Sequence, residues 1–227
     1  ASATAIATGE VIQRDGGALP NGDPVFIDIE TNGLNGEIAW LVGVLDGGSE
    51  EGHYLSFRQR EHDDQTEHVD AFMSWLTGVA RGRPVIAWNG YNFDFPIIKH
   101  HLERDAPEWV ADWESRYQFD PLYYATTQGH ATLPARSNRL EAVAAALGWV
   151  PTTTGIDGST AAREYNTWRQ TTDQPDGYQP DWERLEAYCE DDVRALATIY
   201  EALQDVSRRP SETETPGNRI GEQSRQG

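Results

Sequence analysis

The middle of the chain alternates between short apolar runs and longer segments with helical periodicity. Three apolar runs separated by glycine-rich turns predict β-strands, namely VFIDIET, IAWLVGVLD and HYLSFR. RPVIAWN predicts a fourth strand, and QFDPLYYAT is a candidate for a fifth. These runs supply the sheet of the predicted fold.

Helical periodicity marks the remaining segments. EHVDAFMSWLTGVA, residues 67–80, predicts an amphipathic helix, and apolar residues recur at helical spacing in FDFPIIKHHLERD. NRLEAVAAALG predicts a helix that ends on a glycine. In DWERLEAYCEDDVRALATIYEALQDV, apolar residues recur every 3 or 4 positions from Leu185 to Leu203, which predicts one buried face. This order of elements predicts an α/β fold in which helices flank a sheet.

Composition predicts where the domain begins and ends. Residues 1–23 are small and polar, so we expect a flexible amino-terminal segment, and residues 206–227 have almost nothing to bury, so we expect a disordered tail. Residues 24–205 fit one domain with its own core. The amino terminus lacks the pattern of a secretory leader and no run could span a bilayer, so we expect a cytoplasmic protein without membrane contact.

The charge balance is strongly acidic. The chain has 37 acidic and 18 basic residues, for a net charge of −19, and Lys99 is its single lysine. Such a surface resembles those of proteins from salt-accumulating cells, and an ordinary acidic protein is the alternative. The charge does not exclude nucleic acid, because a metal-filled site holds phosphate without a basic patch. The single cysteine, Cys189, cannot form an internal disulfide, which suits a reducing compartment.

Two carboxylates interrupt the first apolar strand. Asp28 and Glu30 are two positions apart, so on a strand they point to the same side, about 7 Å apart. Buried carboxylates require basic partners or a cation, which makes the pair a candidate for a divalent metal site. The alternative is that DIE ends an edge strand in solvent.

A second cluster, WNGYNFDFP, lies where the fourth strand gives way to a helix, a position at which α/β proteins gather ligands. It contains Asn89, Phe93 and Asp94. Asp94 lies at the start of the helix, so the alternative role for its side chain is a helix N-cap.

A third cluster, YCEDD, lies within the last helix. Tyr188 and Asp192 are four residues apart and share its apolar face. An acid on a buried face is a candidate ligand, although Asp192 could instead neutralise a buried arginine and Tyr188 could belong to the core. Glu190 and Asp191 are interpreted as solvated charges.

In that order, FIDIET, NGYNFD and YCEDD resemble the three motifs of the DEDD 3′→5′ exonuclease superfamily, which has a ribonuclease H-like fold. The spacing from Tyr188 to Asp192 is typical of its tyrosine branch. The proofreading domains of family B DNA polymerases carry similar motifs. The segments DIETNGL, WNGYNFDFPIIKHHL, GIDGSTAAREYNTW and LEAYCEDDVRALATIYEAL are most similar to YprB-type ribonuclease H-like domains, and the resemblance covers residues 24–205.

The resemblance implies a mixed sheet flanked by helices and two divalent ions, Mg²⁺ or Mn²⁺, as cofactors. Asp28, Glu30 and Asp192 would hold one ion, with Asp28 bridging to a second ion held by Asp94. Tyr188 would orient the attacking water. The implied reaction removes 5′-monophosphates from the 3′ end of single-stranded DNA or RNA.

Substrate contacts are expected from three further residues. Phe93 could stack on a base, with core packing as its alternative. Asn89 could contact the strand or form the turn, and the backbone of Thr31 could hold the terminal nucleotide. Asp120 is expected to be structural. Two other functions stay open: a non-catalytic nucleic-acid-binding scaffold within a larger repair or helicase assembly, and an endonuclease of the ribonuclease H type.

Overall fold

The computed structural model describes residues 3–14, 17–33, 38–61 and 64–208. Their strands are β1 (Ile12–Gln13), β2 (Val25–Thr31), β3 (Ala39–Asp46), β4 (His53–Arg58), β5 (Val85–Ile86), β6 (Gln118–Phe119) and β7 (Ala131–Thr132). Their helices are α1 (Ala3–Thr8), α2 (Glu67–Gly78), α3 (Asp94–Asp105), α4 (Val110–Glu114), α5 (Pro121–Thr126), α6 (Leu140–Ala146), α7 (Gly158–Thr171) and α8 (Trp182–Arg208), with a 3₁₀ turn at Pro107–Trp109.

A five-stranded sheet in the order β4-β3-β2-β5-β6 forms the centre of the protein. The strands β2, β3 and β4 are antiparallel neighbours, whereas β5 and β6 run parallel to β2. Because β2 is central and covered on both faces, nearly all of its side chains are buried. This arrangement confirms the predicted α/β architecture of a mixed sheet flanked by helices.

The two faces of the sheet pack against different helices. On one face, Val25, Ile27 and Ile29 belong to an apolar cluster with residues of α2 and α3. On the other face, Phe26 packs in a cluster with residues of α6 and α8. Side chains alternate along a strand, so Asp28 and Glu30 project from the same face as Phe26, toward α8.

Two strand predictions were too long. In RPVIAWN only Val85–Ile86 is strand, and in QFDPLYYAT only Gln118–Phe119 is strand. Pro121 cannot donate to a strand ladder but suits the first turn of a helix, and Asp120 caps that helix by accepting from the N–H groups of Leu122 and Tyr123. Asp120 therefore has the structural role that was expected for it: it is the N-cap of α5, and β6 ends just before it.

The structure also differs from the sequence prediction in the segment 1–23. Ala3–Thr8 forms α1, and Ile12–Gln13 pairs antiparallel with Ala131–Thr132. This pairing joins segments more than a hundred residues apart, which local composition does not reveal. In the predicted tail, residues 206–208 extend α8, and residues 209–227 lie outside the described residues.

Gly43 lies opposite Asp28 on the neighbouring strand, where close packing leaves no room for a side chain. A Cβ atom at Gly43 would lie 2.4 Å from the sulfur of Cys189 and 3.2 Å from the hydroxyl of Tyr54. We therefore expect Gly43→Ala to lower the free energy of unfolding by about 1–3 kcal/mol, the usual cost of overpacking. Urea denaturation measures this change.

Gly78→Ala is the matched control, because a Cβ at Gly78 meets nothing within 4 Å at the end of α2. We expect it to leave stability unchanged or to raise it slightly, since alanine is favoured over glycine in helices. Equal stabilities for the two variants would contradict the close packing of Cys189 beneath β3.

Candidate active site

The first strand of the site, β2, presents two carboxylates at its carboxyl end. Asp28 is half-buried and Glu30 is buried, although neither has an arginine or lysine partner among the described ion pairs. The pairing of β2 with β3 changes register between Glu30 and Thr31. Irregularities of this kind re-aim side chains beside active sites. The strand therefore does not end in solvent at DIE, which was the alternative for this pair.

Asp94 reaches the same region from the first residue of α3. A tight turn precedes it: Asn89 has a φ of 57°, and its carbonyl accepts from the N–H groups of Asn92 and Phe93. Asp94 is only 3% exposed. A backbone hydrogen bond from Ile29 of β2 acts on its carboxylate, which links the start of α3 to the central strand.

The helix α8 contributes Tyr188 and Asp192, which are one helical turn apart. A side-chain hydrogen bond joins the Tyr188 hydroxyl to the Asp192 carboxylate. Both side chains are partly buried, and both line the same cleft as Asp28 and Glu30. No arginine is among the groups that shift the Asp192 pKa in the described chain, so the alternative of a buried arginine partner is not supported.

Asp191 corrects the sequence interpretation, which treated it as a solvated charge. It is 4% exposed, and its carboxylate accepts hydrogen bonds from the backbone N–H and hydroxyl groups of both Thr152 and Thr153. Asp191 therefore fixes the loop before α7 to α8. Sequence alone cannot make this distinction, because adjacent acids differ only by a rotation of about 100° around the helix.

Burial and neighbouring acidic charges raise the pKa values of the four predicted carboxylates. The pKa of Asp28 lies well above its ordinary value because of burial and then the charges of Asp192, Asp94 and Glu30. Burial, followed by Asp192 and Asp94, likewise raises the pKa of Glu30. The pKa values of Asp94 and Asp192 rise to about 7, mainly through burial. The structure thus brings the four acids into one cluster, in which the charges of Asp94 and Asp192 act on Asp28 and Glu30.

Cys189 is part of this cluster, although the sequence analysis gave it no role there. Its sulfur lies 3.6 Å from Asp28 Oδ2, and one ligand atom from each of Asp28, Glu30 and Cys189 falls within 4.8 Å of the others. Burial, and then the charge of Asp28, raises the pKa of the thiol, so it is a protonated donor that supports Asp28. The sequence signal that could have revealed this role is the position of Cys189 on the apolar face of α8.

A cleft of about 750 Å³ opens over the cluster. Thr31 and Phe93, two of the predicted substrate-binding residues, line it together with Asp28, Glu30, Tyr188 and Asp192. The Thr31 hydroxyl donates to the carbonyl of Gly33, which shapes the chain after β2. Asn89 and Asp94 are not among the described residues that line the cleft. Asn89 forms the turn before α3, and Asp94 is buried beneath the cleft surface.

The opposite wall of the cleft comes from α7, a helix that the periodicity analysis did not predict. Its buried residues, Ala161, Ala162, Tyr165 and Trp168, are separated by polar residues, so the apolar stripe is narrow. Its cleft-facing residues are Gly158, Ser159, Ala162, Arg163, Asn166, Thr167 and Gln170. The segment GIDGSTAAREYNTW entered the sequence analysis only through family resemblance.

The donor set fits hard divalent cations. Four clustered carboxylates supply only oxygen ligands, the type that Mg²⁺ and Mn²⁺ prefer. Burial, followed by the charges of neighbouring acids, raises the pKa values of Asp28 and Glu30, and a bound cation would offset that repulsion. Asp28, Glu30, Asp94 and Asp192 are the residues that could hold such ions.

Comparison with known proteins supports the predicted fold. A sequence model of the RNase H superfamily matches residues 25–204. No curated protein matches the chain. Among solved structures, the family B DNA polymerase from the hyperthermophilic archaeon Pyrobaculum calidifontis is similar, with 16% sequence identity and a TM-score of 0.59. The match covers 84% of this chain and 25% of the polymerase, so the chain spans about a quarter of that protein's length.

These matches confirm the predicted ribonuclease H-like fold and the predicted likeness to family B DNA polymerases. At this sequence identity, the similarity to the polymerase shows the fold alone. Within the described residues, no helix has both the length and the apolar character that crossing a membrane requires.

We expect divalent ions to stabilise the protein more at pH 8 than at pH 5. Asp94 and Asp192 have native pKa values of about 7, against 3.8 ordinarily, so the ion-free native state loses stability as pH rises through this window. Mg²⁺ offsets the loss, by about 2.7 kcal/mol at 100 times its Kd. Thermal unfolding with Mg²⁺ and with EDTA at each pH measures the difference.

The difference in thermal stability between Mg²⁺ and EDTA at each pH separates the effect of the carboxylates from the pH dependence of buried histidines. Burial lowers the pKa of His68 to about 4 and also lowers that of His101, so these histidines weaken the fold as pH falls below about 6.5 with or without the ion. A gain from Mg²⁺ that is equal at both pH values would contradict a cation site formed by these acids.

We expect alanine substitutions of the two neighbouring aspartates on α8 to have different effects on the stability of the protein. Asp191→Ala leaves the backbone N–H and hydroxyl donors of Thr152 and Thr153 without their buried acceptor, so we expect a loss of about 2 kcal/mol in the free energy of unfolding. Asp192→Ala removes a repelling charge, so we expect the ion-free stability to be equal or greater. Urea denaturation in EDTA compares them, and a larger loss for Asp192→Ala would contradict the assignment.

Proposed function

Because the chain belongs to the RNase H superfamily, we propose that it is a metal-dependent 3′→5′ exonuclease of the tyrosine type within the DEDD group. Its substrate would be the 3′ end of single-stranded DNA or RNA, and its products would be nucleoside 5′-monophosphates. The observation that carries this proposal is the cluster of Asp28, Glu30, Asp94 and Asp192 at the base of a cleft.

In this proposal the four carboxylates hold two divalent ions, Mg²⁺ or Mn²⁺. Asp28, Glu30 and Asp192 would hold one ion, and Asp94 together with Asp28 would hold the second from the start of α3. Bound ions would activate a water for in-line attack on the phosphodiester and neutralise the leaving oxygen. The Cys189 thiol, 3.6 Å from Asp28 Oδ2, orients the Asp28 carboxylate by donating to it.

Tyr188 has a positioning role in the proposed reaction. Its pKa is raised by burial and then by Asp192 and Glu30, so the hydroxyl stays protonated at neutral pH. It donates to the Asp192 carboxylate at the wall of the cleft, and it would orient the attacking water beside that carboxylate. Because the phenol keeps its proton, Tyr188 acts as a hydrogen-bond donor rather than as a general base.

Two residues at the cleft are proposed to hold the terminal nucleotide. Phe93 lines the cleft at the start of α3, where its ring can stack on a base without sequence preference. Thr31 lies beside Glu30 at the end of β2, where its backbone can contact the sugar. For Asn89, whose backbone forms the turn before α3, we propose a supporting role in positioning Phe93.

The cleft favours removal of terminal nucleotides over internal cutting. Its volume of about 750 Å³ is within the range of pockets that enclose a small ligand, so it accommodates the end of a strand. α7 bounds it on the side opposite the carboxylates. The retention of all four acids and Tyr188 supports an enzyme rather than a scaffold. The products of the strand-degradation assay described below distinguish this exonuclease from a ribonuclease H-type endonuclease and from a scaffold.

The cellular setting is also part of the proposal. We propose that the enzyme acts in the cytoplasm on nucleic acid, alone or within a larger repair or helicase assembly. The surplus of acidic residues and the single lysine, Lys99, support a source that accumulates salt. Assays should therefore be carried out at both low and molar salt.

The test uses single-stranded DNA and RNA labelled at the 5′ end, with Mg²⁺ or Mn²⁺. We expect a ladder of products that shorten from the 3′ end, with 5′-monophosphates released. Asp28→Ala should lower turnover by at least about 10³-fold, because it removes a carboxylate that would hold the ions, while the fold by circular dichroism stays intact.

Asp23→Ala is the matched control, since Asp23 precedes the same strand but its side chain is 79% exposed. We expect its turnover to equal that of the unaltered protein. Internal fragments would favour the endonuclease, binding without cleavage would favour the scaffold, and full activity of Asp28→Ala would overturn the mechanism.

A further inference from the structure

The two walls of the cleft have opposite chemical character. One wall holds the carboxylates of β2 and α8. The other is a stripe of polar side chains on α7, which we name the α7 wall; its members are Ser159, Arg163, Asn166, Thr167 and Gln170. They recur at helical spacing and cover about 16 Å along the helix axis. This length exceeds the 3.4 Å rise of one stacked nucleotide several times.

Arg163 gives the α7 wall its charge. Among the described residues that line the cleft, Arg163 is the only basic one, and its side chain is exposed. One hydrogen bond, 3.3 Å long, runs from its guanidinium to the Thr160 hydroxyl. A guanidinium has five N–H donors, so donors remain for an anion. In a chain with a net charge of −19, a cation facing the acidic wall is a marked local exception.

The α7 wall is held rigidly before any ligand binds. The ring of Tyr165 stacks on Trp40, with centroids 5.1 Å apart and planes 8° from parallel, and its hydroxyl donates to Gln59 over 2.6 Å. Asn166 donates to the carbonyl of Asn32, directly after β2, over 2.9 Å. The spacing between the α7 wall and the carboxylates is therefore fixed, which reduces the entropy lost on binding.

Resting on the proposed function, we propose that the α7 wall binds the sugar-phosphate backbone of a single nucleic-acid strand. Arg163 contacts the phosphate next to the scissile one, and the side-chain amides of Asn166 and Gln170 donate to neighbouring backbone oxygens. These side chains suit backbone oxygens rather than stacked bases, because none is aromatic. Contacts to phosphate position a strand but carry no sequence information, so the site reads strand ends without sequence preference.

The test compares Arg163→Gln with Arg81→Gln. Arg81 is exposed in the loop after α2, so its substitution removes the same charge away from the cleft. For a 12-nucleotide strand, we expect Arg163→Gln to raise KM about tenfold, with a smaller increase for a dinucleotide, whose only phosphate is the scissile one. The slope of log affinity against log salt, measured by fluorescence anisotropy, should become shallower by about 0.7, the effect of losing one phosphate contact.

Arg163→Lys should restore most of the salt slope, because it keeps the charge. The Arg81→Gln protein should behave as the unaltered protein does, and equal melting temperatures confirm that all variants fold. If the unaltered protein shortens strands but Arg163→Gln matches Arg81→Gln in KM and salt slope, the inference is overturned and the proposed function stands. If affinity depends on Arg163 but no nucleotides are released, the inference stands and the proposed function is overturned.

Discussion

Mutual repulsion among four clustered carboxylates is the constraint on which the rest of the structure depends. Asp28, Glu30, Asp94 and Asp192 come from three distant segments, and burial together with the charges of neighbouring acids raises the pKa of each. Such a cluster costs stability and is maintained only where the surrounding fold imposes it. Here the central strand, the start of α3 and the middle of α8 impose it. The same repulsion favours the binding of a divalent cation, because the cation offsets the negative charge of the carboxylates.

The helix α8 organises the site by directing consecutive side chains to different places. Tyr188 and Asp192 face the cleft, whereas Cys189 turns beneath β3 and donates to Asp28. Asp191 turns the other way and binds the loop that leads into α7. The helix α8 thus supplies Tyr188 and Asp192 to the acidic wall of the cleft. Through Asp191 it also fixes the loop that leads into α7, which forms the opposite wall. The roles of neighbouring residues follow from the rotation of about 100° per residue.

Much of this arrangement could be predicted from the sequence, because it depends on local periodicity. Alternation in β2 places Asp28 and Glu30 on one side, and a four-residue interval pairs Tyr188 with Asp192. The remaining features depend on tertiary contacts. The burial of Asp191 depends on Thr152 and Thr153, and the pairing of β1 with β7 joins distant segments. The narrow apolar stripe of α7 becomes recognisable only where it packs against Trp40 and Trp182.

The central claim is that carboxylates of β2, α3 and α8 share divalent ions at the base of the cleft. Crystals grown with Mn²⁺, with diffraction measured at the manganese absorption edge, test it most directly. The account predicts anomalous peaks within bonding distance of Asp28, Glu30 and Asp192, with Asp94 binding a second ion directly or through water. Manganese bound elsewhere, or an acidic cluster that stays without ions at saturating Mn²⁺, would contradict it.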